Sequence, residues 1–210
     1  MSPPREDNPI ELIADARGGT DGSLGRLLLL YTNYLKFLAT MHIDPRIRAR
    51  VSPSDIVQET FYEAQRDFGQ FRGQSEPEFL AWLRRILVNN LARQVERHLL
   101  TKKRDVRREV KLDEIGASME RSTMRLGAIL VDRGDSPSGD AARSERAVIL
   151  VDALAELPAD YRDVLVLRHV QSLSFDEIGR RMERSSGATR MLWLRAMERL
   201  RPLLETRGLR

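Results

Sequence analysis

The sequence of 210 residues predicts an all-α protein with two helical domains joined by a linker. Apolar residues recur at three- and four-residue spacing along most of the chain, which is the spacing of one helix face. Aromatic residues make up only 6% of the chain, and runs of β-branched residues are scarce, which argues against a large sheet. Glycines and acids interrupt the helical spacing between residues 111 and 146, so we place the linker there.

The first domain is predicted over residues 10–110, after a flexible arm at residues 1–9. Apolar spacing from Pro9 to about Leu38 predicts two helices, separated by the glycine-containing segment 18–22.

A third helix is predicted to begin after Ser52, which can cap it, because Pro53 fits the first helical position. Its expected buried side comprises Ile56, Thr60 or Phe61, and Ala64. A loop at residues 67–75 then leads into a long helix from about Pro77 to Leu99.

The second domain is predicted over residues 147–210 and contains a helix-turn-helix. Ser174 and Glu177 have the spacing of a capping box, and Ser185 can cap the helix that follows a tight turn at 183–184. We expect that last helix to bury Thr189, Trp193, Ala196, Leu200 and Leu203. Its opposite side carries Ser186, Gly187, Arg190, Met191, Leu194 and Arg195. Small residues at its start would permit close approach to phosphates.

Two segments carry more than the whole net charge of +4. Residues 81–110 contain nine bases and three acids, and so do residues 178–210. Two phosphate-binding surfaces would produce this pattern, but solvated helix faces would also produce it. The helix-turn-helix could likewise pack only against protein, although its basic side favours DNA.

The composition excludes several functional classes. The chain has no cysteine, which removes disulfides, thiolate catalysis and cysteine-ligated zinc, and fits a reducing cytoplasm. Its three histidines are far apart in sequence, and it has neither a glycine-rich phosphate loop after a strand nor a zinc-protease motif. We therefore expect no catalytic residues, metal or cofactor. The longest apolar run is too short to insert in a membrane.

An acidic and amide-bearing stripe lies on the third predicted helix. Asp55, Gln58, Glu59 and Tyr62 fall on one side at three- and four-residue intervals. This stripe is either a protein-docking face or an ordinary solvated helix face.

Two sets of motifs resemble a known family. Residues 55–61 (Asp-Ile-Val-Gln-Glu-Thr-Phe) and 79–86, with Asn89, resemble the second conserved region of bacterial RNA polymerase sigma factors. The resemblance is closest to the small two-domain extracytoplasmic-function (ECF) class. Residues 154–162, 167–168, 173–178 and 195–196 resemble the fourth region of that class. The two matches occur in the family's order, with a linker between them.

The resemblance implies that the chain binds core RNA polymerase, recognises promoter DNA and helps to melt it, without enzymatic activity. The β-prime coiled coil would dock on Asp55, Gln58, Glu59 and Tyr62, and the β flap would hold the second domain. Residues matching the segment that opens the minus-ten element are Phe71, Arg72, Trp82, Arg85 and Asn89. Those matching the minus-thirty-five reader are Arg184, Ser185, Ser186, Arg190 and Arg195. An anti-sigma factor is a further candidate partner.

The last helix departs from the family pattern Gly-Thr-Val-Lys-Ser-Arg-Leu. Leu192 stands where the family commonly has arginine, which removes a cation, and Trp193 stands where a smaller core residue is usual. Arg93 also occupies a position where an acid or amide is common. The alternatives are a helix-turn-helix regulator that is not a polymerase subunit and a nucleic-acid enzyme such as a recombinase, for which the sequence has no clustered nucleophile or metal set.

Overall fold

The computed structural model describes residues 7–99, 106–129 and 139–209, and within those ranges it contains helices and no strand. The all-α prediction is confirmed. The helices are α1 Pro9–Arg17, α2 Ser23–Leu29, α3 Thr32–His42, α4 Pro53–Asp67, α5 Glu76–Leu99, α6 Val106–Ile129, α7 Asp140–Ala155, α8 Ala159–Leu165, α9 Phe175–Arg181 and α10 Ser186–Glu205. A 3-10 turn, Phe68–Gln70, follows α4, and a π-helical turn, Val166–Val170, extends α8.

The chain divides into two compact units. The amino-terminal unit comprises residues 4–121, and the carboxy-terminal unit includes residues 122–210, so the boundary falls inside α6. Much of the predicted flexible arm, residues 1–6, lies outside the described residues, as do residues 100–105 and 130–138.

The segment predicted as a linker, 111–146, has more helix than its sequence suggests, because it holds most of α6 and the start of α7. Gly127 is the reason for part of the difference. A Cβ at Gly127 would lie 2.5 Å from the Arg143 carbonyl oxygen, so this glycine permits close helix packing and does not end the helix.

The amino-terminal unit begins with three helices where two were predicted. The helix is interrupted at Leu30 and Tyr31, between α2 and α3. Tyr31 is fully buried, and its hydroxyl donates to Glu76 at the start of α5 over 3.1 Å. Apolar residues continue through the break, so the spacing gives no sign of it.

Helices α4 and α5 form as predicted and pack against each other. The Ser52 hydroxyl caps α4 by accepting from the Ser54 amide over 3.1 Å. The buried side of α4 uses Thr60 in preference to Phe61, because the Thr60 hydroxyl can bond the Ile56 carbonyl at 2.7 Å and also accept from Asn90 at 3.2 Å.

The helix-turn-helix of the carboxy-terminal unit is held by its caps. Ser174 and Glu177 form the predicted capping box at the start of α9, which lowers the pKa of Glu177 through hydrogen bonds from Ser174. Ser185 caps α10 by accepting from the Ala188 amide over 3.2 Å. Gly179 of α9 lies close to the turn that leads into α10, since a Cβ there would lie 2.6 Å from the Arg184 carbonyl oxygen.

Helix α10 is rotated relative to the expected orientation. Its buried residues are Thr189, Leu192, Ala196, Leu200 and Leu204. The prediction that Trp193 and Leu203 complete the buried side is wrong, since both are only partly buried. Leu192 is 8% exposed and belongs to the core. The packing of α10 against α7, α8 and α9 determines which of its sides faces the core.

The turn between α9 and α10 contains a residue with a strained backbone, and the cost of that conformation can be measured. Glu183 has a φ of 56°, in the left-handed region that costs a non-glycine residue about 1 kcal/mol. We expect Glu183→Gly to raise the free energy of unfolding of the carboxy-terminal unit by about that amount, measured by denaturant titration. Glu183→Ala removes the charge but keeps the Cβ, and an equal gain in that control would contradict the backbone explanation.

Candidate functional site

The predicted docking stripe on α4 is only partly available to a partner. Asp55, Gln58 and Tyr62 are exposed on one side of the helix, and Tyr62 retains 68% of its accessible surface. Glu59 is half-buried, and its carboxylate accepts a hydrogen bond from Gln94 of α5 over 3.2 Å. The structure therefore groups three of the four residues as an open surface and turns the fourth towards α5.

Arginines of α5 neutralise the acids next to this stripe. Arg93 forms a two-pronged pair with Glu63, at 2.6 and 2.9 Å, and lies 3.7 Å from Glu59. Arg97 lies 3.8 Å from the same Glu59 oxygen. The hydrogen bond to Glu63 raises the pKa of Arg93. Thus Arg93, which departs from the family pattern, binds α4 to α5 and does not form a free cationic surface.

The residues predicted to meet the minus-ten element lie in two environments. Arg72, Arg85 and Asn89 are exposed, and Trp82 is half-buried. Trp82, Arg85 and Asn89 share a side of α5 at three- and four-residue spacing. Phe71, also predicted to contact DNA, does not lie with them on the surface: it is 7% exposed, so most of its ring is covered in this conformation.

Phe71 instead belongs to an aromatic cluster beneath that surface. Its ring centre lies 5.2 Å from that of Trp82 and 5.4 Å from that of Phe79, while Phe68 lies 6.2 Å from Trp82. These distances are typical of favourable aromatic pairs. The cluster fixes the orientation of Trp82. Trp82 is more exposed than Phe79, the other member of the cluster on α5.

Two residues that sequence reasoning missed hold the loop between α4 and α5. The Arg17 guanidinium donates to the carbonyls of Phe71 and Gly73. The Glu78 carboxylate accepts from the amides of Gln74 and Ser75 at 2.8 and 3.0 Å, which lowers its pKa. The Ser-x-x-Glu spacing at 75–78 was a detectable sign of this cap. Arg17 lies 54 residues from Phe71 in sequence, so no local pattern could have revealed it.

Two arginines of the first basic segment serve packing and are not part of an open basic surface. Arg84 is 9% exposed, and it donates to the Tyr34 hydroxyl over 3.2 Å and lies 3.6 Å from Glu120. Arg93 is committed to α4, as described above. Residues 100–105 lie outside the described part of the chain. Among the cations of the segment whose side chains the structure describes, Arg85 and Arg97 are the exposed ones.

The exposed side of α10 brings together several residues predicted to read the minus-thirty-five element. Ser185, Arg190 and Arg195 are exposed, and Ser186 is half-buried at the helix start. The Arg190 guanidinium lies 5.3 Å from the ring centre of Phe175, which also contacts Arg168 at 4.7 Å. These cation–π contacts hold Arg190 at the edge of α10 that faces α9. Phe175 was predicted only as a packing residue.

Arg184, the remaining member of that set, already has an anionic partner. It lies 2.5 Å from Asp160 at the start of α8, and both side chains are largely exposed. Exposed pairs of this kind contribute little stability.

Trp193 explains how α10 tolerates its departures from the family pattern. The Trp193 indole N–H donates to His169 Nε2 over 3.0 Å, and its ring meets Phe175 edge-on at 5.8 Å between centres. The bond requires His169 Nε2 to be unprotonated, and burial, aided by Arg168, lowers the pKa of His169 accordingly. Leu192, which stands where the family commonly has arginine, is 8% exposed, so its side chain is not part of the exposed side of α10.

The described residues offer neither a metal-ion site nor a membrane-spanning helix. No group of three or more histidine, aspartate or glutamate side chains there is arranged to hold a metal ion. No helix in those ranges combines the length and apolar character needed to cross a membrane.

Comparison with known proteins places these features in one family. Residues 147–200 match the family described as Sigma-70, region 4. The ECF RNA polymerase sigma-E factor of Haemophilus influenzae is 28% identical, over 92% of this chain and 95% of its own. The RNA polymerase sigma factor CarQ of Myxococcus xanthus is 34% identical over 80% of each chain. The ECF RNA polymerase sigma-E factor of Salmonella typhimurium is 30% identical over 69% of each chain. The chain belongs to the ECF class of RNA polymerase sigma factors.

Proposed function

We propose that this chain, acting as an ECF sigma factor, binds core RNA polymerase through α4, opens the minus-ten element at α5 and reads the minus-thirty-five element with α10. One observation carries the proposal: α10 has a buried side fixed by packing and an opposite side with exposed arginines, which is the arrangement of a recognition helix. The role involves no bond chemistry by this protein.

For docking, the exposed group formed by Asp55, Gln58 and Tyr62 is the proposed contact surface for the β-prime coiled coil. A carboxylate, an amide and an exposed aromatic ring together offer hydrogen bonds and apolar area, and tyrosine is enriched at interfaces. The pairs between α4 and α5 support this role by holding the helix that carries the group. We also propose that the β flap holds the carboxy-terminal unit and that an anti-sigma factor is a regulator.

For promoter opening, Trp82, Arg85 and Asn89 form the proposed surface that captures an unstacked base. Unstacking costs a few kcal/mol, which stacking, hydrogen bonds and phosphate contacts must offset. Trp82 offers a ring, Asn89 an amide, and Arg85 and Arg72 offer cations. Phe71 supports Trp82 from below. Since core polymerase acts on the chromosome, the proposal places the protein in the cytoplasm.

The sigma role is favoured over that of a separate helix-turn-helix regulator. A regulator needs only the carboxy-terminal unit, whereas the sigma-E factor of Haemophilus influenzae matches 92% of the chain, including α4 and α5.

Transcription in vitro tests the proposal as a whole. Templates with randomised upstream DNA are transcribed by core polymerase with and without the protein, and the transcripts are sequenced. We expect the protein to add transcripts whose templates share two upstream elements. DNA binding without added initiation would favour the regulator, and an unchanged transcript pool would contradict the proposal.

The docking surface has its own test. We expect Asp55→Ala combined with Gln58→Ala to weaken binding to core polymerase about tenfold, the effect of losing a moderate interface hot spot. Equilibrium binding with labelled protein measures this affinity, and circular dichroism checks that helicity is unchanged. Asp15→Ala with Asp21→Ala removes two exposed acids elsewhere in the same unit. Equal affinities for the two double variants would refute this surface.

A further inference from the structure

The centre of the exposed side of α10 is apolar. Gly187, Met191 and Leu194 follow one another at four- and three-residue spacing, directly opposite the buried residues Leu192 and Ala196. Met191 keeps 50% and Leu194 keeps 41% of its accessible surface, and in the described part of the chain few large apolar side chains are this exposed. A Cβ added at Gly187 would meet no other group within 4 Å, so the start of the stripe is open.

Positively charged side chains flank this apolar stripe and indicate the kind of partner that it binds. Arg190 and Arg195 flank it on its two sides, and both are exposed. Between Gly179 and Arg201 the chain has seven arginines and two glutamates. A cationic border around an apolar centre fits DNA, because phosphates line a groove whose floor carries the bases. An acidic groove of a protein would match the border but gives no reason for the glycine opening at the helix start.

The only apolar group that B-DNA offers in its major groove is the C5-methyl of thymine. Met191 and Leu194 are separated by about 4.5 Å along the helix axis, close to the spacing of about 3.4 Å between base pairs. Their side chains can therefore reach the methyl groups of neighbouring base pairs. The flanking arginines are then directed at phosphates or a guanine edge, which their bidentate geometry suits.

Resting on the proposed function, we infer that Met191 and Leu194 are specificity-determining residues that select thymine in the minus-thirty-five element by contact with its methyl group. Arg190 and Arg195 supply affinity at the edges of this contact. The cation–π contact of Arg190 with Phe175 keeps its guanidinium at the flank, away from the apolar centre.

Replacing thymine by deoxyuridine removes only the methyl group and so tests this inference directly. Promoters are first selected from randomised DNA by the holoenzyme formed from core polymerase and the full chain. Duplexes are then made with deoxyuridine at each thymine of the upstream element. For the wild-type holoenzyme we expect a loss of about threefold to fivefold in affinity at one or two adjacent positions, as for one methylene-sized group leaving a contact.

The double variant Met191→Ala with Leu194→Ala tests whether these two side chains cause the preference for thymine over deoxyuridine. It should bind the thymine promoter more weakly than wild type and bind the thymine and deoxyuridine duplexes equally. Leu29→Ala removes a side chain that is 68% exposed in the other unit and should keep the wild-type preference.

Two results would overturn the inference. One is a selected upstream element without thymine, and the other is a deoxyuridine effect that is absent or equal in wild type and double variant. Failure of the holoenzyme to enrich any DNA beyond core polymerase alone would instead contradict the proposed function, so the two failures are distinguishable.

Discussion

Burial of one side of α10 against α7, α8 and α9 determines which side chains of that helix can meet DNA. Thr189, Leu192 and Ala196 occupy the core, so the opposite side is exposed by geometry alone. The close approach at Gly179 and the Ser185 cap fix where α10 begins. The arginines and the apolar stripe follow from that placement, because a rotation of one residue position would turn each of them by about 100°.

The amino-terminal unit shows a comparable division between structural and available charge. Glu59 and Glu63 bind Arg93, which leaves Asp55 and Gln58 on the exposed side of α4. Half-buried pairs cost stability when one partner alone is removed, since the remaining charge loses its compensation. Charge counts along the sequence therefore overestimate the surface charge of α5, where Arg84 and Arg93 serve packing.

Much of the fold could be predicted from local signals. The caps at Ser52, Ser174 and Ser185 mark helix starts through short-range chemistry that a sequence displays directly. Three features depend on distant partners instead. The break before Tyr31 follows from its burial and its bond to Glu76, and α6 runs past Gly127 because a neighbouring backbone fills the missing Cβ position. Leu192 and Trp193 are both apolar, so helical spacing could not decide which of them faces the core.

In the candidate site, too, local signals predicted some features, while others depend on partners distant in sequence. Exposed members such as Arg190 and Asn89 lie on the sides that their spacing predicts, because an amphipathic helix presents its polar residues outward. The supporting residues Arg17 and Phe175 act across the fold, and the burial of Phe71 depends on an aromatic cluster assembled from two segments.

The orientation of α10 is most directly measured by thiol accessibility, since the chain has no cysteine of its own. Single cysteines are placed at 191, 192, 194 and 196, and their rates of reaction with a maleimide are compared. The structure requires fast reaction at 191 and 194 and slow reaction at 192 and 196. A cysteine at 192 that reacts as fast as one at 191 would contradict the placement on which the account rests.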